Sequence, residues 1–212
     1  MLRHKIAAMS AATVLAMFTL GAQAQTASGK FTCDGETYNI ESAVAAWVPE
    51  GKNFIVWAFA SKFSDEELKA FAFAQAASRM KTVPKALSDP DFRKVGDDMR
   101  YKKVKTTNYV MIRGELKTAA PKVEWPNTDG ATLMYVKCLK NENLNFSMRP
   151  GEKDAKSDIT KAFKSFDFPL KDGAQIKYQT AAFKHDAAPK GKGIDVKTTW
   201  DYKVDAKVYV IE

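Results

Sequence analysis

The sequence predicts an α+β domain: a predominantly antiparallel sheet of about eight or nine hairpin-connected strands, with one main helix packed on it. A partly closed β-barrel or sandwich is the nearest alternative. Three observations carry this expectation. From Ile194 to Val210 the even positions are mostly apolar, while the odd ones carry Asp195, Lys197, Asp201, Lys203, Asp205 and Lys207. Strict period-two alternation of this length marks strand with one dry face, the habit of antiparallel sheets. Several shorter apolar stretches are separated by Gly, Pro, Asn and Asp, as hairpins require. One segment alone combines helical spacing with a strong start signal.

The elements follow in chain order. Phe31-Thr32-Cys33 and residues 37–40 flank Asp34-Gly35, a hairpin turn pair. Residues 43–48 and 54–60 flank Pro49-Glu50-Gly51-Lys52 in the same way, and 54–60 is apolar on both faces, so it belongs at the sheet centre. Ser64-Asp65-Glu66-Glu67 has the form of a capping box. Leu68, Phe71, Ala72, Ala76 and Met80 then recur at helical spacing until Pro84 stops the run. Residues 84–98 read as loop with one helical turn near Phe92. Residues 109–116 read as a strand, and 121–130 as a loop carrying Trp125. Residues 133–140 and 144–148 make a hairpin turned by Asn141-Glu142-Asn143. A short helix is expected at 154–163, and a strand at 174–183 forms a long hairpin with the last strand through the Pro-Gly loop 187–193.

The first residues bear on compartment. Arg3, His4 and Lys5 precede an apolar run from Ile6 to Leu20, and Ala22-Gln23-Ala24 presents small residues to a signal peptidase. Residues 1–24 are therefore expected to be a cleaved Sec-type signal peptide, with cleavage after Ala24, leaving one soluble domain over 25–212 without a transmembrane anchor. Periplasmic or secreted localisation follows. Cys33 and Cys138 are the two cysteines, and in an exported chain they are expected to form a disulfide. The bond would span what is otherwise a weak domain boundary near 118–130.

At 45% hydrophobic and 27% charged residues, the composition excludes a disordered tail, a collagen-like fibre and a polytopic membrane protein. Loss of the leader removes Arg3 and Lys5 and leaves 31 basic against 25 acidic side chains, a modest positive excess. Only His185 remains among the histidines, so a histidine-rich metal site is excluded for the mature chain. No metal and no cofactor is expected. Neither a G-x-S-x-G elbow, a phosphate loop nor a dinucleotide fingerprint occurs. Ser78-x-x-Lys81 lacks the companion motifs of serine–lysine hydrolases, and Asp89-Pro90-Asp91 and Asp97-Asp98 read as a turn and a helix end.

The candidate binding residues are Arg100, Tyr101, Lys102, Lys103 and Lys105, where cations and an aromatic ring interleave, read as a polar strand or loop face. Trp125 joins them, since an indole in a loop offers a flat stacking surface, whereas Trp47, Trp57 and Trp200 lie in strands and read as core. The function expected is that of an exported accessory binding protein holding an envelope protein or an anionic envelope polymer, with no catalysis evident and nucleic acid not expected. The alternatives are a carrier of a small apolar or lipid ligand and a carboxylate-dependent hydrolase.

Overall fold

The computed structural model describes residues 26–33, 35–118, 120–125, 132–139, 144–148, 161–187 and 196–212. The leader 1–24 and the loop and turn at 188–195 and 141–143 lie outside them, as does most of the helix expected at 154–163.

The hairpins form where the turn residues place them. β1 (Thr26–Cys33) and β2 (Glu36–Asn39) pair antiparallel around Gly35, whose φ of 80° is left-handed. β3 (Ser42–Val48) and β4 (Asn53–Phe59) pair from Ser42↔Phe59 to Val48↔Asn53. β5 (Tyr109–Glu115), β7 (Thr132–Cys138) and β8 (Leu144–Met148) extend that side antiparallel, and β6 (Lys122–Val123) pairs with β9 (Phe163–Pro169). β10 (Gln175–Thr180) and β11 (Phe183–Ala187) both pair with β12 (Val196–Val210).

Four details differ from the sequence expectation. Among the described residues the sheet has twelve strands: β6 and β9 escape pattern reading, and the single strand expected at 174–183 is two, β10 and β11. The strand expected at 174–183 is interrupted at Ala182, with φ of 53°, and its pairing shifts from Gln179↔Lys203 to Phe183↔Trp200. This is a bulge carrying one extra residue. Phe163, placed in a helix by its spacing to Ile159, begins β9 instead. Edge pairing to β10 and burial of Phe168 at 0% exposure outweigh local helix preference there. Finally, residues 84–98 are not loop: Asp89 caps a second helix, α2 (Pro90–Asp98), by accepting from the amides of Asp91 (2.9 Å) and Phe92 (3.4 Å), with proline in its first turn. Among the described residues the main helix of the sequence reading is thus one of two α-helices.

Sheet order is β6-β9-β10-β12-β3-β4-β5-β7-β8, with β1–β2 and β11 also joined to β12. Every pairing described is antiparallel except β12–β3, which is parallel over Val208↔Ala45 to Val210↔Trp47. The sheet is curled into a half-barrel. The rings of Phe54 on β4 and Phe168 on β9 meet at 5.6 Å. In a flat sheet strands four steps apart would lie about 19 Å from each other. The disulfide Cys33–Cys138, with Cα atoms 6.2 Å apart and a sequence separation of 105, ties β1 to β7 across the same curve.

The concave interior is filled by Phe31, Phe54, Phe168, Trp200, Tyr202 and their neighbours. The convex face carries a second core, in which α1 (Asp65–Ala77) lays Leu68, Phe71, Ala72 and Ala76 over Ile55, Trp57 and Phe59. β4 is therefore buried on both faces, as its sequence requires. Both halves of the capping box are made: the Glu67 amide donates to Ser64 Oγ, and the Ser64 amide to the Glu67 carboxylate. The helix stops at Ala77, short of Pro84, where the Ser78 hydroxyl donates to the Gln75 carbonyl at 2.7 Å.

The two helices touch through small residues. A methyl group on Gly96 of α2 would sit 2.7 Å from the Ala70 carbonyl oxygen and 3.0 Å from the Ala74 Cβ. Alanine normally stabilises a helix interior relative to glycine by roughly 0.5–1 kcal/mol. Gly96→Ala should instead lower stability by about 1–3 kcal/mol, the cost of overpacking, read as an earlier midpoint in urea unfolding. An unchanged or later midpoint would show that the helices separate freely.

Candidate functional site

After α2 the chain does not return directly to the sheet. It continues as a π turn (Met99–Lys103) and a 3-10 turn (Val104–Thr106), and the three segments make a helical arm along α1. The wide turn is visible in its closing bond, from the Val104 amide back five residues to the Met99 carbonyl. Such turns are frequent at functional sites because they re-aim the side chains on them. The sequence-flagged Arg100, Tyr101, Lys102 and Lys103 all lie on this turn, and Lys105 follows it.

Two anchors hold the arm. Met99, fully buried, and Val104 plug into the convex core. Lys137, in β7 and only 8% exposed, donates from Nζ to the carbonyls of Val104 (2.9 Å) and Lys105 (2.7 Å). An ammonium at the negative end of a helix satisfies carbonyls that the helix cannot. Its Nζ also lies 5.7 Å from the Tyr109 ring, and burial together with Lys105 pushes its pKa down. Sequence reasoning missed Lys137, because a charged odd position in an alternating strand reads as solvent-facing.

The arrangement of the predicted cations is not that of an open anion grip. Lys102 pairs with Asp98 at 2.6 Å, one turn earlier, and Lys103 pairs with Glu67 at the start of α1. The Arg100 guanidinium donates to the Ala74 carbonyl at 3.4 Å and lies 5.0 Å from the Tyr101 ring centre. Lys105 Nζ lies 5.9 Å from the same centre. Tyr101 is 51% exposed, in a protein whose large apolar side chains are otherwise mostly covered. Beside it runs an open furrow of about 830 Å³ between the first turn of α1 and the arm. Five carboxylates and four cations line it, so it carries balanced charge rather than a basic field.

Glu67 links the two sides of the furrow. The hydrogen bond from Lys103, then the Ser64 amide, hold its carboxyl below the usual carboxylate range, and Glu67 in turn holds Lys103 above its ordinary value. Lys102 lowers the pKa of Asp98 in the same manner.

Trp125 lies elsewhere. Half-buried beyond β6, it packs edge-on against Phe163 at 4.8 Å and tilted on Phe166 at 5.6 Å, as part of the concave core. The structure therefore gathers the arm residues on the convex side and leaves Trp125 on the other face of the sheet. In the same interior, burial pushes the hydroxyls of Tyr178 and Tyr202 well above their ordinary range.

The remaining sequence candidates have structural roles where they are described. Asp89 is a helix cap, Ser78 closes α1, and Asp97 faces Arg93 at 3.9 Å. His185 is placed on β11 opposite Thr198, its side chain outside the described residues. Among the described residues no group of three or more His, Cys, Asp or Glu is placed to hold a metal ion. Comparison of the chain with known protein families, curated proteins and solved structures finds no match to any of them.

Lys137→Met keeps the alkyl stem but removes the donor that closes the arm. Loss of a charged hydrogen bond costs about 1.5–3 kcal/mol, so amide hydrogens from Met99 to Thr106 should exchange faster while those of β4 keep their protection. Equal exchange throughout would show that Lys137 does not anchor the arm. Glu67 gives a pH-dependent counterpart. Its folded pKa lies below the ordinary 4.5, so its stabilisation is present above that value and is lost as pH falls through the folded one. Glu67→Gln should unfold at lower urea than the parent chain at pH 7, with the gap closing in acid. A gap independent of pH would remove the charge from the explanation.

Proposed function

We propose that the chain is an exported accessory protein, periplasmic or secreted, whose work is binding rather than catalysis, and that it holds a polypeptide partner in the furrow beside Tyr101. The observation that carries this reading is the position of Tyr101: a half-exposed aromatic ring on a π turn, at the edge of an open, charge-balanced groove. Tyrosine supplies contact area at small entropic cost and is enriched at protein interfaces. A groove with both signs of charge suits a polypeptide better than a uniformly anionic polymer, since the cluster's cations already have partners within the chain. The concave interior is occupied by the protein's own aromatic side chains, which favours recognition on the surface over a ligand carried inside.

The leader-like residues 1–24 and the disulfide support export, since such bonds persist in oxidising compartments. No helix among the described residues is long and apolar enough to cross a membrane.

Gentle purification from the source envelope fraction, with mass spectrometry of what co-elutes, tests the reading. A stoichiometric polypeptide is expected with the parent chain and at least about tenfold less of it with Tyr101→Ala, a loss typical of an interface anchor, while circular dichroism stays the same. A stoichiometric small molecule released by organic solvent would replace this reading with the carrier one, and an unaccompanied protein would remove the partner.

A further inference from the structure

The arm carries charge that the rest of the described chain leaves uncompensated. From Met99 to Thr106 it holds the cations Arg100, Lys102, Lys103 and Lys105 and no acid. Asp98 takes Lys102, and Glu67 takes Lys103. Arg100 and Lys105 enter no ion pair among the described residues. Their partners are neutral: the Ala74 carbonyl for Arg100, and the Tyr101 ring for both. The guanidinium lies 5.0 Å and the ammonium 5.9 Å from the centre of that half-exposed ring. A guanidinium has five N–H donors, and the contact to Ala74, at 3.4 Å, is a long one.

The backbone beneath these side chains is fixed before any ligand arrives. Met99 and Val104 are buried in the convex core, and the Lys105 carbonyl accepts from Lys137 Nζ at 2.7 Å. A grip on an ordered backbone loses little entropy when it closes on a ligand.

The walls of the furrow select among anions. Arg93 faces Asp97, and the two ion pairs of the arm account for two further carboxylates and two further cations of the lining. That leaves Glu66 and Asp91 against Lys94, each without an ion pair among the described residues. A polymer charged at every repeat sets some of its charge against Glu66 and Asp91, and like charges so placed are repelled. A polypeptide brings one carboxylate to Tyr101 and uncharged or basic side chains to the rest.

Resting on the reading of the furrow as a polypeptide site, we propose that the partner's anchor is a single carboxylate, from an acidic side chain or a chain end, held beside Tyr101 by Arg100 and Lys105. Its oxygens accept from the guanidinium and the ammonium, the charge-assisted bonds that neither cation finds within the described chain.

The probes are synthetic hexapeptides of alanine and leucine with blocked ends and a central glutamate, glutamine or lysine, and the glutamine peptide with its terminal carboxylate free. In NMR spectra of the isotope-labelled chain, at least one carboxylate peptide should shift the Arg100 Nε–H signal and the Tyr101 amide saturably. Which of the two does so identifies the source of the carboxylate. The blocked glutamine peptide should leave both signals in place. Arg100→Gln combined with Lys105→Gln should weaken the carboxylate peptide about tenfold, the sum of two exposed charge pairs. Lys105→Glu should gain affinity for the lysine peptide, which a misfolded chain cannot do. The inference is overturned if neither carboxylate peptide binds, if the blocked glutamine peptide binds equally, or if the double substitution leaves affinity unchanged. Tighter binding of polyglutamate or inorganic phosphate would also overturn it and assign the site to a polyanion. Co-elution from the envelope fraction separates this inference from the reading beneath it. A polypeptide lost with Tyr101→Ala but kept by the double substitution upholds the furrow and ends the carboxylate anchor; one kept by both variants ends the furrow reading.

Discussion

One strand holds the molecule together. β12 offers a single edge to two different partners in succession: β1 pairs with it antiparallel from Thr198 to Asp205, and β3 takes over in parallel from Val208 to Val210. Its other edge carries β10 and β11 in line, with the bulge at Ala182 absorbing the misfit. Both flanks of the half-barrel are therefore hung on fifteen residues. The register with β1 is further set by buried polar contacts, since the Thr198 hydroxyl donates to the Thr32 carbonyl at 2.6 Å and accepts from the Trp200 indole at 2.9 Å. These groups would be costly to bury apart.

The division of labour between the two faces follows from the curl. Inside, the even residues of β12 from Trp200 to Val208 share one core with Phe31, Phe54 and Phe168. Outside, α1 and the arm add a second core, and beyond Val208 even the odd positions Tyr209 and Ile211 are buried under it. The ion pairs that join separate elements of the helical layer, Glu67 with Lys103 above all, lie on that convex side. Recognition chemistry is available there, and the concave face is committed to stability.

Much of this was legible in the sequence where the cause is local. Alternation from 194 to 210, the capping box at Ser64 and the turn residues Gly35 and Pro49 to Lys52 each specify structure through their own neighbours, and the two cysteines pair as expected. What escaped is what tertiary contact decides. β9 owes its conformation to β10, α2 announces itself only through Asp89-Pro90, and Lys137 turns a wet position into a buried one by finding the end of the arm. The cluster from Arg100 to Lys105, read as a polar strand or loop face, lies on helical turns, and Glu67, which neutralises Lys103, is thirty-six residues away. Tyr101 is 51% exposed, on a wide turn that no local signal in the sequence announces.

The order in which the chain emerges gives β12 a further meaning. Every strand it pairs with, β1, β3, β10 and β11, precedes it from the N-terminus, and the contact between Thr32 and Thr198 closes across 166 residues. Closures of that span are slow, because the entropy of joining distant segments is lost before any contact returns it. Until β12 is in place, the edges of β1, β3, β10 and β11 that face it are left unpaired. The half-barrel can therefore shut only once this fifteen-residue strand is in place between its partners.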